Sequence, residues 1–225
     1  MINLSQLPQT ITAIGGLGTA AFGLVDASKA LGGGVNHIGF GGIKTTVQAL
    51  TPGKPANSLS QDKILATLKA NWFNGTDLSS QKAIAKSLIK LNLDGSNAEN
   101  LAGVAGVDPG VLKDVATSIA SGTALTTAQS DVYSRFDLIL TALLDETYQH
   151  SDNVYRNWTR AIAGLVAVAL ALVGGYIISG AGHFNGPDIA QSVLVGLLAT
   201  PLAPIAKDLS TALATAVNTL QLVKK

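Results

Sequence analysis

Residues 156–184 read RNWTRAIAGLVAVALALVGGYIISGAGHF. Two arginines and a tryptophan give way at Ala161 to 22 residues, 161–182, without a charged side chain. As a helix this run is about 33 Å long, against a hydrocarbon core of about 30 Å. The soluble alternative is a buried core helix, but charge-free runs of this length are the signature of a membrane span. The composition is unusual for a span: it is built from Ala, Gly and Val where Leu and Phe would be common.

The rest of the chain divides around this segment. Charged residues make up 13% of it, roughly half the share of an ordinary soluble domain, and they are unevenly spread. Asp26 is the one charge before Lys29, and Asp188 the one charge between Arg160 and Lys207. An apolar N-terminus, a polar middle and an apolar C-terminus result. Net charge is +1, which implies no broad attraction to nucleic acid or acidic substrates. With no cysteine, disulfides, thiolate metal sites and Cys nucleophiles are excluded.

Two further spans are expected. Residues 5–28 hold the first apolar run, with Ser5 placed to cap it and Pro8 in its first turn. A cleaved signal peptide is the rival reading, but there is no basic n-region, so a retained span is expected. Residues 189–206 supply a third charge-free run, at the short end of the spanning range. Pro201 and Pro204 are expected to kink or break it, leaving 207–225 as an interfacial or continued C-terminal helix.

Orientation follows from Lys and Arg. Lys29, Lys44, Arg156, Arg160 and Lys207 flank the same side of three spans, while the 180–188 turn holds none. The N-terminus is therefore expected outside, and the middle domain and C-terminus in the cytoplasm. Tyr155, Arg156, Trp158 and Arg160 are the expected membrane-interface anchors.

Counting by four explains the small residues. Ala163, Ala167, Ala171, Gly175 and Ser179 form one ladder; Ser192, Gly196 and Thr200 form another; Gly16 and Ala20 form a pair in the first span. Residues four apart share a helix face, and small ones let a second backbone approach closely. These ten residues are the expected helix-packing face.

In the middle, residues 29–57 read as a glycine-rich connector. They lack the spacing of a dinucleotide fingerprint and the Lys-Ser/Thr ending of a P-loop. Residues 58–126 read as a small all-helical domain. Ser60 and Ser79 are placed to cap its first two helices, which end near Asn74-Gly75 and Gly95. Ser96-x-x-Glu99 and Thr126-x-x-Gln129 have capping-box spacing, and Asp108-Pro109 pairs an N-cap with an N1 proline. The helices on either side of Gly106 have helix-turn-helix length, but the second offers Lys113 beside Asp114 and little else to meet DNA. A packed hairpin is expected instead. From Thr127 no Gly or Pro intervenes until Gly164, so one helix is expected over 127–182, continuous with the second span.

Residues 144–172, LDETYQHSDNVYRNWTRAIAGLVAVALAL, resemble the juxtamembrane pattern of a group of uncharacterised bacterial integral membrane proteins. That pattern reads Phe-Asp-x-x-Met-x-Arg-x-Ser-x-Trp-Tyr-Lys-Arg before a span. Asp145, Tyr155 and Arg156 fit it, while Leu144, Tyr148, His150, Asp152, Val154 and Asn157 depart. GLLATPLAPIAKDLSTAL is similar to the group's Gly-Ala-Pro-Phe-Trp-x-Asp-x-Leu close through Ala203, Pro204, Asp208 and a following leucine. The resemblance implies the three-span layout and a bacterial inner (cytoplasmic) membrane, and it implies no enzymatic activity.

Chemistry is sparse. His37, His150 and His183 lie far apart, with no H-E-x-x-H and no G-x-S-x-G elbow. No catalytic residue, metal site, cofactor or small-molecule substrate is identified. The sequence thus predicts an all-α integral membrane protein with about three transmembrane helices and a helical cytoplasmic domain. Its expected partners are the lipid bilayer and further copies of itself. Its expected role is a structural scaffold self-associating through small-residue faces, with an oligomeric channel or pore as the alternative.

Overall fold

A computed structural model describes residues 7–30, 32–52, 59–180 and 182–223. Ser5, Lys224 and Lys225, and the 53–58 part of the expected connector, lie outside the described residues. Among the described residues eight helices form and no strand. They are α1 (Leu7–Ala30), α2 (Asn36–Leu50), α3 (Gln61–Phe73), α4 (Leu78–Asn92), α5 (Ala98–Ala105), α6 (Pro109–Ser121), α7 (Thr127–Ser179) and α8 (Gly186–Val223). Three are long and apolar enough to cross a membrane: Gln9–Ala30, the 53-residue α7, and Gly186–Asp208. The chain is an all-α membrane-protein fold. It divides into two compact units, one of residues 36–155 and one of residues 1–35 with 156–225, the division falling inside α7.

The unit of residues 36–155 is a helical array around one apolar core. Ile43, Val47 and Leu50 of α2, Ile64 and Leu68 of α3, Ile89 of α4 and Leu101 of α5 are fully or almost fully buried. They pack with Leu112 of α6 and with Phe136, Leu140, Leu144 and Tyr148, one stripe of α7. The caps explain the boundaries. Ser60 Oγ accepts from Lys63 N and Asp108 Oδ1 from Val111 N, each satisfying an orphan amide of a first turn. Thr126 and Gln129 exchange the two bonds of a capping box. Gly106 and Gly122 sit at φ +60° and +69°, closing α5 and α6 in the left-handed region open to glycine. The 98–122 segment is a packed hairpin.

Two caps differ from expectation. At α4 the N-cap is Asp77, whose carboxylate accepts from Ser80 N and from Ser79 Oγ. Ser79 is drawn in as a donor, because a carboxylate is the stronger acceptor for an amide in the first turn. The Ser80 bonds, then those from Ser79, hold the Asp77 carboxyl well below the usual carboxylate range. At α5 the Ser96–Glu99 box does not form. Asp94 Oδ1 accepts from Ser96 N and Asn97 N, and Asn97 Oδ1 accepts from Asp94 N, so a local Asx knot replaces the box.

The expected connector over 29–57 holds a packed helix, α2. Its Phe40, Ile43, Val47 and Leu50 follow an i, i+3, i+7, i+10 spacing and all are buried. Its glycines admit close neighbours. A Cβ on Gly39 would lie 2.6 Å from the Trp72 ring, 2.9 Å from Tyr155 Cβ and 3.3 Å from Ser151 O; one on Gly42 would lie 2.9 Å from Ser151 Oγ. Trp72 Nε1 donates to Asn36 O at 3.0 Å, and its ring meets Tyr155 edge-on at 6.0 Å.

The other unit contains α1, the 156–179 part of α7, and α8. Pro201 and Pro204 lie inside α8, which stays continuous to Val223. Each proline removes one backbone donor. Both rings sit on the exposed side, while Ala199, Ala203 and Ala206 on the other side are buried against neighbouring helices, holding the turns before and after in line.

Candidate functional site

The helix-packing face is the part of the molecule that the sequence singled out, and its geometry lies within the unit of α1, the 156–179 part of α7, and α8. Ala163 and Ala167 are fully buried and Ala171 nearly so; Gly175 and Ser179 are half-buried. Opposite them on α8, Ser192 and Gly196 are buried and Thr200 half-buried. The approach is close. A Cβ on Gly196 would lie 2.4 Å from Val168 Cα, and one on Gly175 would lie 2.4 Å from Ser192 Oγ. With no hydrophobic gain available inside lipid, contact at this range supplies the dispersion that holds such helices together.

On α1 the packed residues are different from those expected. Gly16 has nothing within 4 Å of an added Cβ, and Ala20 is exposed. The buried residues are Gly15, Gly18, Ala21 and Val25. A Cβ on Gly18 would lie 2.0 Å from Ala199 O, and one on Gly15 would lie 2.2 Å from Ala206 Cβ. Ala21, Ala167 and Ala199 meet in one cluster to which all three helices contribute. The reason is phase: neighbours on a helix are about 100° apart, so a one-residue shift turns the face away from the partner.

Sequence reasoning missed Gly15, Gly18, Ala21, Ala199, Ala203 and Ala206. The signal was present. Buried positions on α8 run 192, 196, 199, 203, 206, alternating steps of four and three, which is the seam of a left-handed helix pair. Counting strictly by four drifts off such a seam after two steps.

Near the α7–α8 turn the three helices leave a cavity of about 410 Å³. Ile14 and Leu17 of α1, Leu170 and Gly174 of α7, and Asp188 and Gln191 of α8 are among its walls. An added Cβ on Gly174, one of these lining residues, would meet nothing within 4 Å. Asp188 Oδ2 accepts from Asn185 N at 3.2 Å, one turn into α8.

The 36–155 unit carries a polar ladder. Lys82 pairs with Asp145, and both Lys86 and Lys90 pair with Asp137, at 2.6 and 2.9 Å. Lys86 also donates to Thr141 Oγ1, and Lys90 lies 4.7 Å from the centre of the Tyr133 ring. Burial pushes the Asp137 carboxyl up, but hydrogen bonds from Lys86 and Lys90 outweigh it and hold the group below the usual range. Burial likewise opposes the charge on Lys90; its bonds to Asp137 and Tyr133 prevail and raise it. The Tyr148 hydroxyl is buried without a hydrogen-bond partner, and burial pushes it well above the ordinary phenol value. Among the described residues no three His, Asp or Glu side chains converge as a metal set. His37 stands edge-on to Phe73 at 4.9 Å.

Of the expected interface anchors, Arg156, Trp158 and Arg160 are exposed, and Tyr155 is half-buried against Trp72. What the arrangement offers is helix packing and an apolar cavity with a carboxylate in its lining. No protein-family model, no curated protein and no solved structure matches the chain.

Proposed function

We propose that the protein is a structural membrane protein, a three-span anchor carrying a helical scaffold domain, that self-associates through the outward face of α1. One contrast supports this reading. The outward sides of α7 and α8 carry large apolar residues suited to lipid, such as Leu165, Ile177 and Ile178, exposed by 71, 72 and 88%, and Leu194 and Leu197. The outward side of α1 carries a small stripe: Gly16, Ala20 and Gly23 are exposed, spaced four and three apart, open space meets an added Cβ at both glycines, and Leu24 borders the stripe. The stripes on α7 and α8 are consumed inside one chain, so the face left for a second copy is this one. A smooth face of that spacing gains close backbone contact from another helix and little from fluid lipid tails.

The proposal includes the location. Membership in the resembled group of bacterial inner-membrane proteins is supported by Asp145, Tyr155 and Arg156, and the orientation, with the 36–155 unit and C-terminus cytoplasmic, by the Lys and Arg flanks. The role is non-catalytic.

Mass measurement of the purified chain in mild detergent and in lipid nanodiscs tests the assembly. The expected result is an oligomer that the double variant Gly16→Leu, Ala20→Leu converts to monomer with its helix content unchanged. A monomeric wild-type chain in both settings refutes self-association, and an oligomer indifferent to the double variant refutes the α1 face.

A further inference from the structure

We propose that the cavity among α1, α7 and α8 is a binding site for a monovalent organic cation with an apolar body. The cavity, at about 410 Å³, falls in the range of small-molecule sites, and its walls carry the composition of one: mostly apolar, with a few polar groups gathered at one place. Ile14, Leu17, Leu170 and Val195 supply the apolar surface. Asp188 is the one charged residue in the lining, with Gln191 one turn further on α8.

The charge needs a counterpart. Among the described residues no Lys or Arg pairs with Asp188, and the nearest basic residue along α8, Lys207, is 19 positions on, about 28 Å as helix. The Asn185 amide satisfies one carboxylate oxygen as a capping bond and supplies no full charge. A carboxylate at the edge of an apolar cavity attracts a cation whose apolar body the cavity can hold. An anion is repelled there, and a neutral apolar molecule leaves the carboxylate unmatched. Quaternary ammonium is the chemistry that satisfies both parts, because it brings a positive centre without hydrogen-bond donors that would need further partners.

The test uses the full chain in phosphatidylcholine nanodiscs, with benzyltrimethylammonium as probe and its uncharged carbon isostere, neopentylbenzene, as control. Equilibrium dialysis, corrected with empty nanodiscs, should show saturable binding of about one cation per chain, at least ~10-fold tighter than the isostere. Asp188→Asn keeps an oxygen able to cap α8 and should weaken the cation ~10-fold or more while leaving the isostere unchanged. Gly174→Leu grows into open space and should abolish binding of both. The proposal is overturned by absence of saturable binding to the wild-type chain, by equal affinity for cation and isostere, or by an Asp188→Asn variant that holds the cation as well as wild type. Helix content and melting of both variants establish that any loss of binding occurs in a folded chain. The outcome is independent of oligomeric state.

Discussion

Gly18→Ala and Gly16→Ala differ by two positions on one helix and should have opposite effects. In a helix interior alanine is favoured over glycine by about 1 kcal/mol, and that term is common to both. At Gly16 a methyl group meets nothing within 4 Å, so the propensity gain stands alone. At Gly18 the methyl carbon would lie 2.0 Å from Ala199 O and 2.5 Å from Ala199 C. Both are backbone atoms of α8, which no rotamer change can move. Carbon–oxygen contacts settle at about 3.3 Å, so the two helices must part by about 1.3 Å there. A gap of 0.5–1 Å already forfeits a quarter to a half of each dispersion well, and overpacking of this kind costs about 1–3 kcal/mol. Inside lipid no gain in hydrophobic burial offsets the loss. The common propensity term cancels, so the Gly18→Ala unit should be less stable than the Gly16→Ala unit by about 1–3 kcal/mol. Because the chain has no cysteine, a single Ala163→Cys reporter in both variants gives a clean readout. Its side chain is buried in the packed unit and reacts with maleimide when SDS separates the helices. The Gly18→Ala variant should become reactive at a lower SDS mole fraction. Equal midpoints, or a later one for Gly18→Ala, refute the α1–α8 approach described above.

The 36–155 unit supports three more predictions, read by Trp72 fluorescence in a Trp158→Phe background unless noted. Asp137→Asn, which leaves Lys86 and Lys90 without their shared carboxylate, should cost about 1 kcal/mol at low salt and less at 1 M salt. The Asp137 carboxyl is depressed in the fold, so its stabilisation is complete above the unfolded value of about 3.9 and is lost as pH falls through the lower folded value; the variant should show a flatter acid limb. Gly39→Ala should destabilise by about 1–3 kcal/mol, since the methyl meets the Trp72 ring, Tyr155 Cβ and the Ser151 carbonyl, whereas Gly41→Ala meets nothing and should stabilise by up to about 1 kcal/mol. Tyr148→Phe removes a buried, unpartnered hydroxyl and should be neutral or stabilising by up to about 1 kcal/mol. In the wild-type chain one of the four tyrosines should resist tyrosinate formation, followed at 295 nm, until the unit unfolds.

The features that could be read from the sequence are those set by local chemistry. The charge-free run from Ala161, the Asp108-Pro109 start of α6 and the Thr126–Gln129 box each depend on residues within one or two turns, and each forms. The misread segments depend on something further away. Asp77 displaces Ser79 because a carboxylate two residues earlier competes for the same amides. Residues 36–50 look like a flexible connector while glycine is weighed as a helix breaker. Their four buried apolar positions had helical spacing all along, and the glycines are there because Trp72, Tyr155 and Ser151 leave no room for a side chain.

The packing face shows the same division more sharply. On the 156–179 part of α7 the small residues occupy one face, bordered by Leu, Val and Ile, so composition alone fixes the phase and Ala163, Ala167 and Ala171 are found buried. On α1 small residues occupy most of the circumference: Gly15, Gly16, Gly18, Ala20, Ala21 and Gly23 include more than one acceptable stripe. Nothing local to α1 chooses between them. The choice is made by α8, whose Ala199 carbonyl and Ala206 methyl occupy the space that side chains at 15 and 18 would need. A helix smooth on several sides can bind its own chain with one face and still present another at 16, 20 and 23. The ambiguity that hid the intrachain face is therefore the property that would let α1 serve a second partner.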